Sequence, residues 1–89
     1  DEPEIIRRDD GSLLVDGQCS FYEFLEYIDM ECLYPEYDYN TISGLILHLL
    51  EHIPHTGEKI SWHELEFEIV DMDGARIDKI LVYSKKHDK

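Results

Sequence analysis

Basic residues are scarce in this chain of 89 residues, where eight Lys and Arg stand against 21 Asp and Glu, for a formal net charge of -13. Residues 9–58 contain no Lys or Arg at all, yet they include eleven Asp and Glu. Such a chain repels phosphate backbones and anionic membrane surfaces. The charge therefore argues against a nucleic-acid partner and favours cations or a basic protein surface, although an acidic face kept for solubility would have the same composition.

Long apolar runs are also lacking. No stretch approaches the ~20 apolar residues of a membrane span, and no basic-then-apolar secretion signal opens the chain. The two cysteines, Cys19 and Cys32, are too few for a disulfide framework and have no C-x-x-C spacing. We therefore expect one soluble domain in a reducing, cytoplasmic setting, with residues 1–3 as a linker from a preceding domain, 4–83 as the domain and 84–89 as a solvated tail.

The common signatures of enzymes are absent too. The sequence has no G-x-S-x-G elbow, no glycine-rich phosphate loop and no G-x-G-x-x-G after a strand. It therefore predicts a protein that is not an enzyme, with no catalytic and no cofactor-binding residue assigned.

Two helices are predicted from their caps and apolar spacing. Ser20-Phe21-Tyr22-Glu23 is a capping box that opens the first helix. In the second, apolar residues recur at 42, 45, 46, 49, 50 and 53, after a cap at Asn40 or Thr41, and Pro54 is expected to end the helix. A glycine inside a helix costs about 1 kcal/mol relative to alanine. Gly44 therefore predicts another backbone packed closely against this helix.

Five strands are predicted around these helices, at 4–8, 12–15, 59–62, 65–69 and 75–83. Gly11 and Gly74 mark the turns of two hairpins, and a slip in the alternation predicts a bulge near Asp78-Lys79. Residues 30–40, rich in tyrosine, are predicted to form an ordered loop. The order ββααβββ indicates an α+β fold in which two helices pack on one face of a mainly antiparallel sheet.

Two kinds of metal site are conceivable. The acidic turns could offer oxygens to a hard cation such as magnesium or calcium, and the imidazoles of the second helix, spaced i and i+4, could bind zinc. The alternatives are ordinary turn chemistry and exposed surface histidines. The candidates are Asp9, Asp10, Asp71 and Asp73 for the hard cation, and His48 and His52 for zinc. Trp62 and the six tyrosines could instead line a pocket for a flat ligand, or belong to the core and its rim.

An ordered set of short motifs resembles the CorC/HlyC transporter-associated domain. The likeness runs from about residue 4 to residue 82, with Ser43 and Asn40 at positions where the family commonly has glycine and aspartate. The motifs that carry it are Asp10-Gly11-Ser12, Val15-Asp16-Gly17, Tyr39-Asn40-Thr41-Ile42-Ser43-Gly44-Leu45-Ile46, Ile53-Pro54, Gly57-Glu58, Phe67-Glu68-Ile69 and Arg76-Ile77.

This resemblance implies a regulatory module without catalytic residues. Such modules lie at the C-terminal end of bacterial membrane proteins, at the cytoplasmic face, after a membrane domain and a pair of CBS domains. Those proteins are associated with magnesium and cobalt efflux, and some carry a hemolysin label. The resemblance therefore implies modulation of divalent-cation transport, with the neighbouring CBS and membrane domains as partners. A small-ligand sensor and a module that forms a homodimer of the parent protein remain the alternatives.

Overall fold

A computed structural model describes residues 3–85 of the chain. Five strands and two α-helices follow one another in the predicted order ββααβββ, with one short 3-10 helix between the α-helices. The elements are β1 (Ile5–Arg7), β2 (Leu13–Asp16), α1 (Phe21–Tyr27), the 3-10 helix (Glu31–Leu33), α2 (Ile42–Leu50), β3 (Lys59–Trp62), β4 (Leu65–Asp73) and β5 (Arg76–Ser84). Residues 1–2 of the predicted linker and 86–89 of the predicted tail lie outside the described residues.

The five strands form one antiparallel sheet in the order β1-β2-β5-β4-β3. Alternate residues of each strand face the helices, and the register aligns Val15 with Ile80 and Ile80 with Ile69, all three fully buried. The apolar residues of α1 and α2 complete the same core. The predicted α+β architecture is confirmed, and the opposite face of the sheet carries no helix among residues 3–85.

The first helix begins as predicted. The Ser20 hydroxyl accepts a hydrogen bond from the Glu23 backbone N–H at 3.2 Å, which satisfies one of the free donors in the first turn. Phe21, Phe24 and Leu25 are fully buried. The Ser20 cap therefore starts a helix whose apolar face packs against the sheet.

The second helix ends earlier than predicted. Thr41 caps it by accepting from the Gly44 backbone N–H at 3.2 Å, but α2 stops at Leu50, so the prediction that Pro54 ends it is wrong. Glu51 adopts a left-handed conformation with φ 63°, and the chain turns away from the helix axis there. Ile53, expected on the buried stripe, is consequently 61% exposed.

The prediction for Gly44 is also wrong. A Cβ added there would meet only side chains, the nearest being the Thr41 hydroxyl at 3.5 Å, which is ordinary van der Waals contact. The close backbone approach occurs instead at Gly17, where a Cβ would lie closer than 3.0 Å to the carbonyl of Ile77. Gly17 also contacts α2, since its carbonyl oxygen accepts a hydrogen bond from the backbone N–H of Ser43, in that helix, at 3.1 Å. Gly17 therefore lies between β5 and α2.

The hairpins and the bulge follow the prediction closely. Gly11 and Gly74 have φ of 91° and 64°, the left-handed conformations that tight turns need. Asp71 pairs with Lys79 and Met72 with Ile77, so the register skips Asp78 and confirms the bulge. The predicted loop at 30–40 differs in one respect, since it contains the 3-10 helix.

Candidate functional site

Most of the stretch without basic residues folds into the helical layer. Residues 9–58 span the β1–β2 turn, strand β2, both α-helices and the loops that join them. The basic residues among the strands are Arg7, Lys59, Arg76 and Lys79. The helical side of the domain therefore has an excess of negative charge, with the Arg7 guanidinium as a cation beside it, 5.8 Å from the centre of the Tyr27 ring of α1.

Asp10 is held within its own turn. Its Oδ1 accepts hydrogen bonds from the Ser12 hydroxyl at 2.6 Å and from the Ser12 backbone N–H at 2.9 Å. These bonds lower the pKa of the Asp10 carboxyl, the side-chain bond most strongly. Asp10 is thus an ionised and oriented carboxylate, with Asp9 beside it in the same exposed turn.

The second acidic turn lies at the other end of the sheet. Asp73 pairs with Arg76 at the start of β5, whereas β2 begins opposite Val82, six residues further along that strand and roughly 20 Å away. Asp73 also lies 3.7 Å from the Arg76 guanidinium. The two turns therefore cannot share one ion. Within residues 3–85 no three Asp, Glu, His or Cys side chains are grouped as metal ligands, and metal binding by either turn alone stays a prediction.

The two helical histidines do not share one helical face. His48 lies on α2 with its ring centroid 5.4 Å from that of Tyr39, whereas His52 lies beyond the helix end at Leu50. The His52 Nδ1 is 3.0 Å from the Leu50 carbonyl oxygen, and its Nε2 is 2.7 Å from Glu58 Oε2. Zinc binding by these residues stays a prediction, but the spacing argument behind it required a helix that continues past His52.

Glu58 is the residue that the sequence analysis missed. Its side chain is only 17% exposed, and besides His52 it holds His55, whose backbone N–H donates to Oε1 at 3.2 Å and whose Nδ1 lies 3.3 Å from the same oxygen. The hydrogen bond from His52 is the main cause that lowers the pKa of the Glu58 carboxyl. Glu58 follows His55 by three residues and His52 by six, and this spacing is visible in the sequence. Only the turn between α2 and β3 brings the carboxylate and the two imidazoles together.

Trp62 belongs to the core. It is 6% exposed, and its ring lies 5.3 Å from Tyr37, 6.0 Å from Phe21 and 6.1 Å from Phe67, centroid to centroid. Its indole Nε1 has no hydrogen-bond partner among the described residues. The aromatic residues thus pack on one another around Trp62, as the core interpretation of these residues predicted.

A groove of about 460 Å³ lies on the sheet face away from the helices. Leu81 and Tyr83 of β5 line it, with Glu68 of β4 on one side, and Asp10 and Ser12 at the start of β2 on the other. The groove therefore combines two carboxylates with an apolar strip. Its volume is within the range of small-molecule sites.

The fold and its sequence match a known family. Residues 6–86 match the family model described as the transporter associated domain. The chain belongs to the CorC_HlyC family. A CorC_HlyC domain from a Xylella fastidiosa hemolysin, solved in complex with Mg²⁺ and Mn²⁺, is 38% identical, with a TM-score of 0.79 over 92% of this chain and 98% of that one.

Two curated relatives place this CorC_HlyC domain within longer proteins. A UPF0053 protein of Synechocystis is 46% identical over 91% of this chain, and a polyamine export protein of Haemophilus influenzae is 33% identical over 92% of it. The chain spans only 18% and 19% of the lengths of these relatives. Among residues 3–85, no helix has the length and apolar character needed to cross a bilayer.

Proposed function

We propose that this domain is a non-catalytic regulatory domain of a membrane ion-transport protein, at the cytoplasmic face of a bacterial membrane, that adjusts the transport of divalent cations such as magnesium or cobalt. It acts through its neighbouring CBS and membrane domains, and its own input is the cation concentration of the cytosol. The observation that carries the proposal is the excess of acidic residues in the helical layer, where residues 9–58 contain no Lys or Arg.

This charge responds to cations through the electrostatic field of the domain. A surface of one sign raises the local concentration of counter-ions, and multivalent ions gain most from it. The names of similar proteins fit this proposal, since one related domain was solved with Mg²⁺ and Mn²⁺ and a relative is called a polyamine export protein. Both metal ions and polyamines are multivalent cations.

A non-catalytic role fits the residues that could otherwise act as nucleophiles or bases. Burial raises the pKa of the Cys19 thiol to about 12, so it is a neutral thiol at physiological pH. Asp10 and Glu58, the carboxylates with lowered pKa, hold the β1–β2 turn and the α2–β3 connection together. These groups serve the structure of the domain.

Thermal unfolding of the 89-residue chain tests the cation response. Mg²⁺, Mn²⁺, Co²⁺ and spermidine are titrated separately at constant ionic strength, with KCl as the balancing salt. A cation that binds the folded state raises the midpoint progressively, by about 2.7 kcal/mol of stability at 100 times its dissociation constant. Midpoints that stay unchanged through every titration, as constant ionic strength alone predicts, would refute a specific cation response. Adenine nucleotides and flavins, added in parallel, test the small-ligand alternative.

Regulation itself is tested in the parent protein. Deletion of residues 4–83 is expected to change how transport depends on cytosolic cation concentration, measured as flux at several magnesium levels. A deletion that lowers the maximal flux equally at every level would indicate a role in assembly or folding instead.

A homodimer of the parent protein is the second candidate, and one surface favours it. Leu47 and Leu49, in the last turn of α2, and Ile53, just beyond it, are 38%, 36% and 61% exposed. Large apolar side chains left exposed in one part of a domain favour an interface there. Light scattering over a range of concentrations tests this, with Leu47→Gln expected to abolish any rise in mass.

A further inference from the structure

The groove on the open sheet face has charge at its two sides and apolar groups between them. Leu81 pairs with Leu14 of β2 on one side and with Glu68 of β4 on the other. Asp10, in the turn before β2, lines the same groove. Neighbouring strands are about 4.8 Å apart, so the strands on either side of β5 are separated by roughly 10 Å. Glu68 is level with Leu14, whereas Asp10 precedes Leu14 by four residues, so the two carboxylates line opposite sides of the groove and are also offset along β5.

Neither carboxylate forms an ion pair within 4.0 Å among residues 3–85. Glu68 is half-buried, and its carboxylate has no hydrogen-bond partner in the part of the chain that the structure describes. Lys59 lies opposite it on β3 but forms no ion pair within 4.0 Å. Asp10 Oδ1 is used by Ser12, and no described residue contacts Oδ2. The Ser12 hydrogen bonds, and then the positive charge of Arg8, help to lower the pKa of the Asp10 carboxyl. The groove therefore offers two carboxylates without a close ion pair, with Lys59 opposite Glu68.

The distance between the Asp10 and Glu68 carboxylates determines which kind of cation can contact both. Magnesium takes oxygen ligands that converge on one point at about 2.0–2.1 Å, so one ion cannot contact two carboxylates that stand far apart. Here the oxygens stand on opposite sides of a strip formed by Leu81 and Tyr83, both half-buried. An aliphatic chain with an ammonium group at each end matches this pattern, because its methylene groups cover the apolar strip while each ammonium reaches one carboxylate.

We infer that this groove binds an aliphatic diamine or polyamine, with Glu68 and Asp10 holding the terminal ammonium groups and Leu81 and Tyr83 contacting the methylene chain between them. The inference rests on the proposed function, since it specifies one cation to which the regulatory domain responds, and it adds the site and the chemical class of the ligand.

Calorimetric titration of the 89-residue chain with spermidine and 1,4-diaminobutane tests the groove. Glu68→Gln removes one ammonium partner and is expected to raise the dissociation constant about three- to five-fold, the range of a solvent-accessible ion pair. Glu26→Gln, an exposed change of equal charge on α1, is the matched control and is expected to change it less than about two-fold. Lys59→Gln is expected to strengthen binding, because it removes a cation beside Glu68.

The chain length of the ligand gives an independent readout. 1-Aminobutane, with one ammonium, is expected to bind about three- to five-fold more weakly than 1,4-diaminobutane at equal ionic strength, because it leaves one carboxylate unpaired. Unchanged unfolding midpoints of Glu68→Gln in the absence of ligand exclude misfolding as the cause of any loss.

Two results would overturn the site. Equal weakening by Glu68→Gln and Glu26→Gln would mean that the general acidic field binds the amine, and equal affinities for the monoamine and the diamine would mean that the two carboxylates do not act together. Either outcome leaves the proposed function standing if Mg²⁺ or spermidine still stabilises the wild-type chain. No stabilisation by any cation above the KCl control would refute the proposed cation response as well.

Discussion

His52 Nε2 lies 2.7 Å from Glu58 Oε2, while His52 Nδ1 lies 3.0 Å from the Leu50 carbonyl oxygen. Both partners are acceptors, so both hydrogen bonds form together only when the ring carries a proton on each nitrogen. The His52 ring thus links the Leu50 carbonyl, at the end of α2, to Glu58, the residue before β3. This contact stabilises the segment between α2 and β3, which is longer than predicted because α2 ends at Leu50.

The Glu58 carboxyl gives the first prediction. Its folded-state pKa is lowered from 4.5, so its contribution to stability is present above that pH and is lost as the pH falls through the folded value. We expect Glu58→Gln to lower the urea midpoint near pH 6 and to flatten its dependence on pH between about 5 and 3. Glu51→Gln, an exposed neighbour, serves as the control. Parallel pH profiles for wild type and Glu58→Gln would contradict this role.

The close approach at Gly17 gives the second prediction. A Cβ there overlaps the Ile77 carbonyl, so Gly17→Ala is expected to destabilise the domain by about 1–3 kcal/mol, as overpacking does. Gly44→Ala is the matched control, since its Cβ would meet only ordinary contacts and alanine favours the helix by about 1 kcal/mol. Urea denaturation measures both changes. A larger loss of stability for Gly44→Ala than for Gly17→Ala would contradict the close backbone approach at Gly17.

The two thiols give the third prediction. Cys19 is 1% exposed and its pKa is raised to about 12 by burial, while Cys32 is exposed. We expect iodoacetamide to modify Cys32 readily and Cys19 about 1,000-fold more slowly, because Cys19 reacts only from the small unfolded fraction. Mass spectrometry over time measures both rates, with Cys32→Ser isolating the slow one. Equal rates would show that the Cys19 region opens locally.

The cap of α2 gives the fourth prediction. The Thr41 hydroxyl accepts from the Gly44 backbone N–H at 3.2 Å, so Thr41→Ala is expected to cost about 1 kcal/mol of stability. Thr56→Ala, in an exposed turn, is expected to stay within about 0.5 kcal/mol of wild type. Urea denaturation of the two variants measures this difference. Equal losses of stability would show that the Thr41 hydroxyl does not stabilise α2 as its cap.

Most of the fold was predictable because its signals are local. The Ser20 and Thr41 caps, the glycine turns and the alternation of β4 each depend on a few neighbouring residues, and each appears in the structure. The candidate site was far less predictable. Asp9, Asp10, Asp71 and Asp73 were singled out by their turns, yet their position at opposite ends of β5 depends on strand order.

By itself, the sequence determined the order ββααβββ, the places where the hairpins turn, and an acidic stretch without a basic residue, because composition and short-range periodicity encode all three. Only the tertiary structure decided that α2 stops at Leu50, that Gly17 meets the Ile77 carbonyl, and that Glu68 and Asp10 line one groove on opposite sides of β5. The reason is that each of these depends on packing between segments far apart in the chain, which no local pattern records.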